Sequence, residues 1–217
     1  LDAPCSSSCP AGTDPAKFIR SVRFRNFKGA AETIRINNAL GAVCARVCPT
    51  EKYCQLACSR TQIDRPIDIG RIQKYVTDFE DRVQMKVYYK EAPTGKKVAI
   101  IGAGPSGLQA AASLALKGHE VTIYENQEKA GGWLRYGIPE YRLPNEIVDK
   151  EIHRIEELGV KIVTNTNIDD NQLAKLLKDS EKNEEKIDLG DLGMFPMYMP
   201  EELAQKYVKE LESEKKL

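Results

Sequence analysis

Residues 96–125 leave this chain few folds to choose from. Lys96-Lys97-Val98-Ala99-Ile100-Ile101 is an apolar run with the look of a buried parallel strand, and Gly102-Ala103-Gly104-Pro105-Ser106-Gly107 follows at once. An Ala- and Leu-rich helix then reaches Lys117, Gly118-His119 stops it, and Glu120-Val121-Thr122-Ile123-Tyr124-Glu125 reads as a second strand. Strand, glycine turn, helix and strand in that order make a βαβ unit, so a parallel sheet is expected. A GxGxxG run alone proves little, but here its surroundings are complete. Gly102 and Gly104 let the backbone turn tightly and approach a pyrophosphate, and Gly107 lets the helix pack closely on the strand. The helix start, with Pro105 and Ser106 in its first turn, turns a partial positive charge toward phosphates. Glu125 ends the second strand, where it can accept hydrogen bonds from a ribose. The plainer alternative is an ordinary βα turn that binds nothing.

All six cysteines, Cys5, Cys9, Cys44, Cys48, Cys54 and Cys58, precede this unit and none follows it. They form a separate device. An even number suits three disulfides, but disulfide scaffolds belong to secreted chains, whereas a dinucleotide fingerprint points to the cytoplasm. Zinc favours close CxxC pairs or nearby histidines, and here the spacings are CxxxC and CxxxCx5CxxxC, with His119 and His153 far downstream. Cys9-Pro10 and Cys48-Pro49 suit iron–sulfur clusters, whose sulfurs accept backbone hydrogen bonds from tight turns.

The cysteines sit among helices. Asp14-Pro15 reads as an N-cap followed by proline at the first helical position, with Phe18, Ile19 and Val22 at helical spacing. A second helix is expected over 28–36, a ligand-bearing loop with short helical turns over 39–62, and a third helical pattern over 67–89. Glu91-Ala92-Pro93-Thr94-Gly95 is a turn-rich boundary. Lys+Arg and Asp+Glu both total 32 and no basic block occurs in the first 180 residues. Nothing therefore supplies the counterion release that non-specific nucleic-acid binding draws on, and no nucleic-acid partner is expected. No apolar run approaches the roughly 20 residues of a membrane-spanning helix, so no membrane span is expected. The start at Leu1 reads as a truncated or processed end.

The residues resemble one family of iron–sulfur flavoproteins. It includes the small subunit of bacterial glutamate synthase, the N-terminal part of dihydropyrimidine dehydrogenase and the large subunit of NADH-dependent ferredoxin:NADP oxidoreductase. The matching stretches are Cys5-Ser6-Ser7-Ser8-Cys9-Pro10, Cys44-Ala45-Arg46-Val47-Cys48-Pro49 with Cys54 and Cys58, Ile67-Asp68-Ile69-Gly70, and the glycine fingerprint. The most specific is Gly131-Gly132-Trp133-Leu134-Arg135-Tyr136-Gly137-Ile138-Pro139-Glu140-Tyr141-Arg142-Leu143-Pro144, which no generic nucleotide fold requires. The resemblance covers residues 3–168. It implies an α plus α/β architecture: a helical double-[4Fe–4S] ferredoxin-like domain over 1–92, then part of a Rossmann-like FAD-binding domain over 93–168. A charged linker and C-terminal helix over 169–217 are expected to follow, with 191–217 a possible contact for other subunits of a redox complex.

The resemblance also implies roles. Cys9, Cys48 and Cys54 would hold one cluster, with Gln73 as a fourth, non-cysteine ligand; residue type alone leaves Gln73 a solvated helix position. Cys5 and Cys58 would be half of a second cluster's ligands, the remaining two lying upstream in the family. Cys44 matches the pattern without being a ligand. Gly131, Gly132, Leu134 and Arg135 would reach toward the flavin. The family's second dinucleotide-binding domain, which receives NAD(P)H, is not found in this sequence. The expected function is an electron-transfer module of a multi-component oxidoreductase, relaying electrons between FAD and [4Fe–4S] clusters, with NAD(P)H serving the full-length protein or complex. Two alternatives are part of a complete NAD(P)H-oxidising enzyme, and a non-redox assembly protein with structural zinc. No catalytic acid, base or nucleophile of hydrolytic type stands out.

Overall fold

The computed structural model describes residues 3–169, 171–173 and 176. Of the region expected as charged linker and C-terminal helix only 169, 171–173 and 176 are described, and the partner contact expected over 191–217 lies outside the described residues.

The cysteine-rich half is helical: α1 (Pro4–Ser7), α2 (Pro15–Arg23), α3 (Phe27–Arg35), α4 (Gly41–Val47) and α5 (Ile69–Arg82), with 3-10 turns at Thr50–Lys52 and Ser59–Gln62. Each of the three longer helices starts at a polar cap. Asp14 accepts the Lys17 N–H, Asn26 the Gly29 N–H and Asp68 the Arg71 N–H, each satisfying a first-turn amide that has no partner within its helix. Phe18, Ala30, Ala31, Ile34, Ile69 and Val76 meet in one core between α2, α3 and α5.

The helix expected over 67–89 stops at Arg82. Gln84 takes a positive φ of 49° and the Met85 N–H turns back to the Glu80 carbonyl, closing the helix end. Beyond it, Val87 is buried, the Lys90 ammonium donates to the Leu158 carbonyl at 2.7 Å, and the Glu91 N–H donates to Leu116. The apolar spacing continued past the helix because the segment is a strap laid against both halves.

The second half runs β1 (Lys97–Ile101), α6 (Pro105–Leu116), β2 (Glu120–Tyr124), α7 (Trp133–Tyr136), α8 (Asn145–Glu156) and β3 (Lys161–Val163). The strands form a parallel sheet in the order β1-β2-β3, with Val98 opposite Val121 and Ile123 opposite Ile162. Gly118 is required at the end of α6: its φ is +82°, and a Cβ there would lie 2.1 Å from the Ala92 carbonyl oxygen. β1 was expected to be buried and is not. Val98 and Ile100 tuck under α6, whereas Lys97, Ala99 and Ile101 face outward, Ile101 at 56% exposure. Among the described residues helices cover one face of the sheet, so β1 alternates as a half-buried strand does.

A buried charge network joins the halves. Arg35 on α3 donates to Glu80 on α5 (Nη2 to Oε2, 2.8 Å) and to Glu151 on α8 (Nη1 to Oε2, 2.7 Å; Nη2 to Oε1, 2.8 Å). All three are at most 2% exposed, and Arg154 reaches Glu80 at 3.3 Å. Opposed bidentate pairing makes such burial tolerable, and losing one member strands the others.

Candidate redox site

Cys5 lies within α1, and Cys9 follows in a turn where its N–H donates to Ser6 and its carbonyl accepts from Gly12. Cys48 caps the C-terminus of α4 in an extended conformation, because the following Pro49 disfavours a helical residue before it. Cys54 follows the first 3-10 turn, Cys58 heads the second, and both are buried. None of the six is in a disulfide.

Several of the thiols act on one another electrostatically. Cys54 is pushed up to about 11, first by burial and then by the charges of Cys9 and Cys5. Cys48 is pushed up more strongly, by its hydrogen bond with Cys44, by burial and by the charges of Cys44, Cys54 and Cys9. Cys48 thus feels the charges of Cys54 and Cys9, and Cys54 those of Cys9 and Cys5. Deprotonating such a set in a half-buried pocket requires compensating positive charge, which is what the irons of a cluster supply. Among the described residues no three His, Cys, Asp or Glu side chains converge tightly enough to hold a single metal ion.

Gln73 on α5 is buried rather than solvated. Its Nε2 donates to the Gly41 carbonyl at 2.9 Å, and its amide lies near enough to the Cys44 thiol to favour the thiolate. Cys44 is lowered to about 7, chiefly by the hydrogen bond from Cys48, with Asn38 and Gln73 adding to it. No motif in the sequence marks Asn38. Its buried Nδ2 lacks a hydrogen bond of good geometry, yet lies near enough to Cys44 to favour the thiolate. Such a donor fits a site where sulfur atoms carry negative charge.

At the dinucleotide turn, Gly102 has φ +96°, and a Cβ built at Gly102 or Gly104 would meet nothing within 4 Å. The backbone here faces open space, a cradle that side chains would fill. Gly104 caps α6, Pro105 occupies the first helical position, Ser106 is exposed, and no side chain takes up the first-turn amides. Gly107 is required by packing: a Cβ there would lie 2.0 Å from the Gly102 carbonyl oxygen. These groups fit a pyrophosphate.

Glu125 also has partners within the fold. It is 5% exposed, and both oxygens are already engaged, Oε2 by the Ala103 N–H at 2.7 Å and Oε1 by the Gln127 N–H at 2.9 Å. Its first role is to brace the glycine turn, and a second lone pair on each oxygen remains for a ribose.

The Gly131-Gly132 pair packs on the same turn. The Gly131 N–H donates to the Ala103 carbonyl at 2.8 Å, and a Cβ at Gly132 would lie 2.8 Å from the Gly104 Cα. Two residues expected to reach toward a flavin are otherwise engaged. Leu134 is buried, and the Arg135 guanidinium is spent on the Ala130 carbonyl and on Asp149 of α8. Both support the glycine pair from behind.

Residues 1–85 match the family described as dihydropyrimidine dehydrogenase domain II, 4Fe-4S cluster. That stretch is a 4Fe–4S domain of the dihydropyrimidine dehydrogenase type. Residues 100–178 match the NAD(P)-binding Rossmann-like domain family, so the helical half is a 4Fe–4S domain followed by a Rossmann-like one. The chain is 63% identical over 167 residues to the NAD-dependent dihydropyrimidine dehydrogenase subunit PreT of Salmonella typhimurium, covering 77% of this chain and 40% of that protein. It is 60% identical over 177 residues to the subunit of the same name from Escherichia coli, covering 82% and 43%. The chain therefore spans less than half the length of these relatives. The 4Fe–4S match upholds the iron–sulfur reading of the cysteines over zinc. No helix among the described residues is long and apolar enough to cross a membrane.

Proposed function

We propose that the chain is the part of an oxidoreductase subunit that passes electrons between FAD, held at the glycine turn, and [4Fe–4S] clusters held by the N-terminal cysteines. The observation that carries this reading is the presence in one compact unit of an open backbone cradle and a helical half that bears all six cysteines, tied together by Arg35 and Glu151. A bound flavin takes electrons in pairs and releases them singly, and clusters carry them one at a time.

The chain's own groups bind and orient. The backbone of residues 102–107 and the start of α6 receive the pyrophosphate, Glu125 braces that turn while accepting from the ribose, and Gly131 and Gly132 extend the surface toward the flavin. Cys9, Cys48 and Cys54, with Gln73 as fourth donor, hold one cluster; Cys5 and Cys58 contribute to a second. In the full-length protein NAD(P)H is the hydride donor, and another subunit receives the electrons. The relatives' description as a subunit of an NAD-dependent dihydropyrimidine dehydrogenase supports this relay over a self-contained enzyme, and favours a pyrimidine as the substrate of the whole complex. The setting is cytoplasmic.

The test is anaerobic purification of the full-length protein with assay of iron, acid-labile sulfide and flavin, then mixing with NADH. The relay reading expects cluster and flavin absorption, bleaching by NADH, and pyrimidine reduction only with a partner subunit. Zinc in place of iron, or NAD in place of flavin, overturns it.

A further inference from the structure

α4 delivers Cys44 and Cys48, yet it has no cap of its own. Its N-cap residue is Leu40, whose side chain offers no acceptor. The missing contacts come from elsewhere, and two come from the nucleotide half. Glu151 Oε2 on α8 accepts the Ala42 N–H at 2.9 Å, and Gln109 Oε1 on α6 accepts the Ala39 N–H at 2.8 Å. The carbonyls are held from the other side, Ala39 by Arg35 Nη1 at 2.7 Å and Gly41 by Gln73 Nε2 at 2.9 Å. Segment 39–42 is thus fixed by backbone hydrogen bonds from four side chains. Gln109 is on the helix that begins at the glycine turn, so the line from cradle to cysteine passes through α6, Gln109, segment 39–42 and α4.

We propose that Glu151, with Gln109 assisting, is a positioning residue for the cluster of Cys9, Cys48 and Cys54: it sets where the nucleotide half places the helix that carries Cys48. The inference rests on the cluster assignment proposed above. Glu151 does two separable things. Its charge balances Arg35, and its oxygen caps Ala42. Glu151→Gln keeps an acceptor for Ala42 and discards the charge, whereas Glu151→Ala discards both.

The experiment uses the full-length protein, loaded anaerobically, and reads iron release to a chelator, the line shape of the reduced cluster by electron paramagnetic resonance, and the melting temperature. Glu151→Ala is expected to release one cluster's iron about tenfold faster, the equivalent of a lost helix cap, with an altered line shape. Glu151→Gln is expected to melt as early as the alanine variant while its iron release and line shape return to those of wild type. A bare structural latch would instead leave both variants equally impaired at the cluster, and that result overturns the proposal, as does wild-type iron release from Glu151→Ala. Should Glu151→Ala fail to fold, Gln109→Leu removes the Ala39 contact without touching the charge network; faster release supports the proposal and an unchanged rate overturns it. A wild-type protein without clusters overturns the underlying assignment, and the inference with it; an intact wild-type cluster with unresponsive variants overturns the inference alone.

Discussion

Around residues 102–107 the groups that would meet a ligand are backbone amides and empty space, fixed by glycines, by Glu125 and by the Gly131-Gly132 pair. Around Cys48 and Cys54 they are thiols that burial and the charges of neighbouring cysteines hold back from ionising. The first site is prepared before its ligand arrives. The second becomes favourable only when positive charge enters, so its ligand is also part of its folding energy. A prepared site tolerates loss of its ligand, and a charge-frustrated one loosens without it.

That contrast assumes one joined structure, which Arg35 tests most severely. Arg35→Leu leaves the Glu80 and Glu151 carboxylates buried without their main partner, a change of about 3–5 kcal/mol for each broken pair, comparable to a domain's whole stability. Loss of cooperative melting by calorimetry is expected; a variant that melts like wild type would mean the halves do not depend on this joint.

The glycine turn offers the sharpest internal contrast. Gly107→Val drives a side chain into the Gly102 carbonyl and is expected to cost about 3 kcal/mol or more. Gly104 has φ −77° and ψ −177°, which any residue can adopt, and open space beside it. Gly104→Val should therefore shift stability by less than about 0.5 kcal/mol while abolishing flavin retention with iron unchanged. Stoichiometric flavin in Gly104→Val would show that the cradle is not where the pyrophosphate lies.

In the cysteine half, Ala in place of Cys9, Cys48 or Cys54 should each remove one cluster's worth of iron and leave flavin in place, as read by metal and flavin assay. Full iron in all three would break the assignment. Gln73→Ala should change that cluster's potential more than its iron content, since a weaker neutral donor is being removed.

The smallest effect concerns the surface pair that steadies α4 against α5. Asp78 lies below its ordinary value: burial alone would raise it, but hydrogen bonds from Lys74 and Arg46 outweigh that. With its pKa depressed on folding, its contribution is intact above the unfolded value near 3.8 and fades as pH falls below it. Asp78→Asn should cost under about 1 kcal/mol at pH 7 in a denaturant melt, and the difference from wild type should shrink on acidification.

The dinucleotide frame was legible in the sequence because its causes are local. A positive φ, a tight helix start and a close approach each demand glycine at a set spacing, and Gly102, Gly107 and Gly118 declare them. The cysteine pattern was legible for a similar reason, since ligands cluster in sequence. What stayed hidden depends on distant pairing. Arg35 and Glu151 are 116 positions apart, and Gln109 meets Ala39 across 70. The one available signal was Glu151 itself, a carboxylate at core spacing between Val148 and Ile155. The bonds of Arg135 to Ala130 and Asp149 stayed hidden too, because a motif says that a residue matters without saying which way it faces. The end of α5 was misjudged because the apolar residues after Arg82 serve a strap as well as they would a helix.

β1 pairs with β2 on one side, and among the described residues nothing pairs with it on the other. Its outward face carries Ala99 and Ile101 with only Lys97 as a charged gatekeeper. An apolar edge strand whose outer amides and carbonyls no described strand takes up is a template for any similar strand that drifts by, including another molecule of the same kind. A preparation of these 217 residues alone is therefore expected to self-associate with rising concentration by strand addition, seeding from its most recognisable element. A lysine at position 99 or 101 is the remedy this geometry recommends.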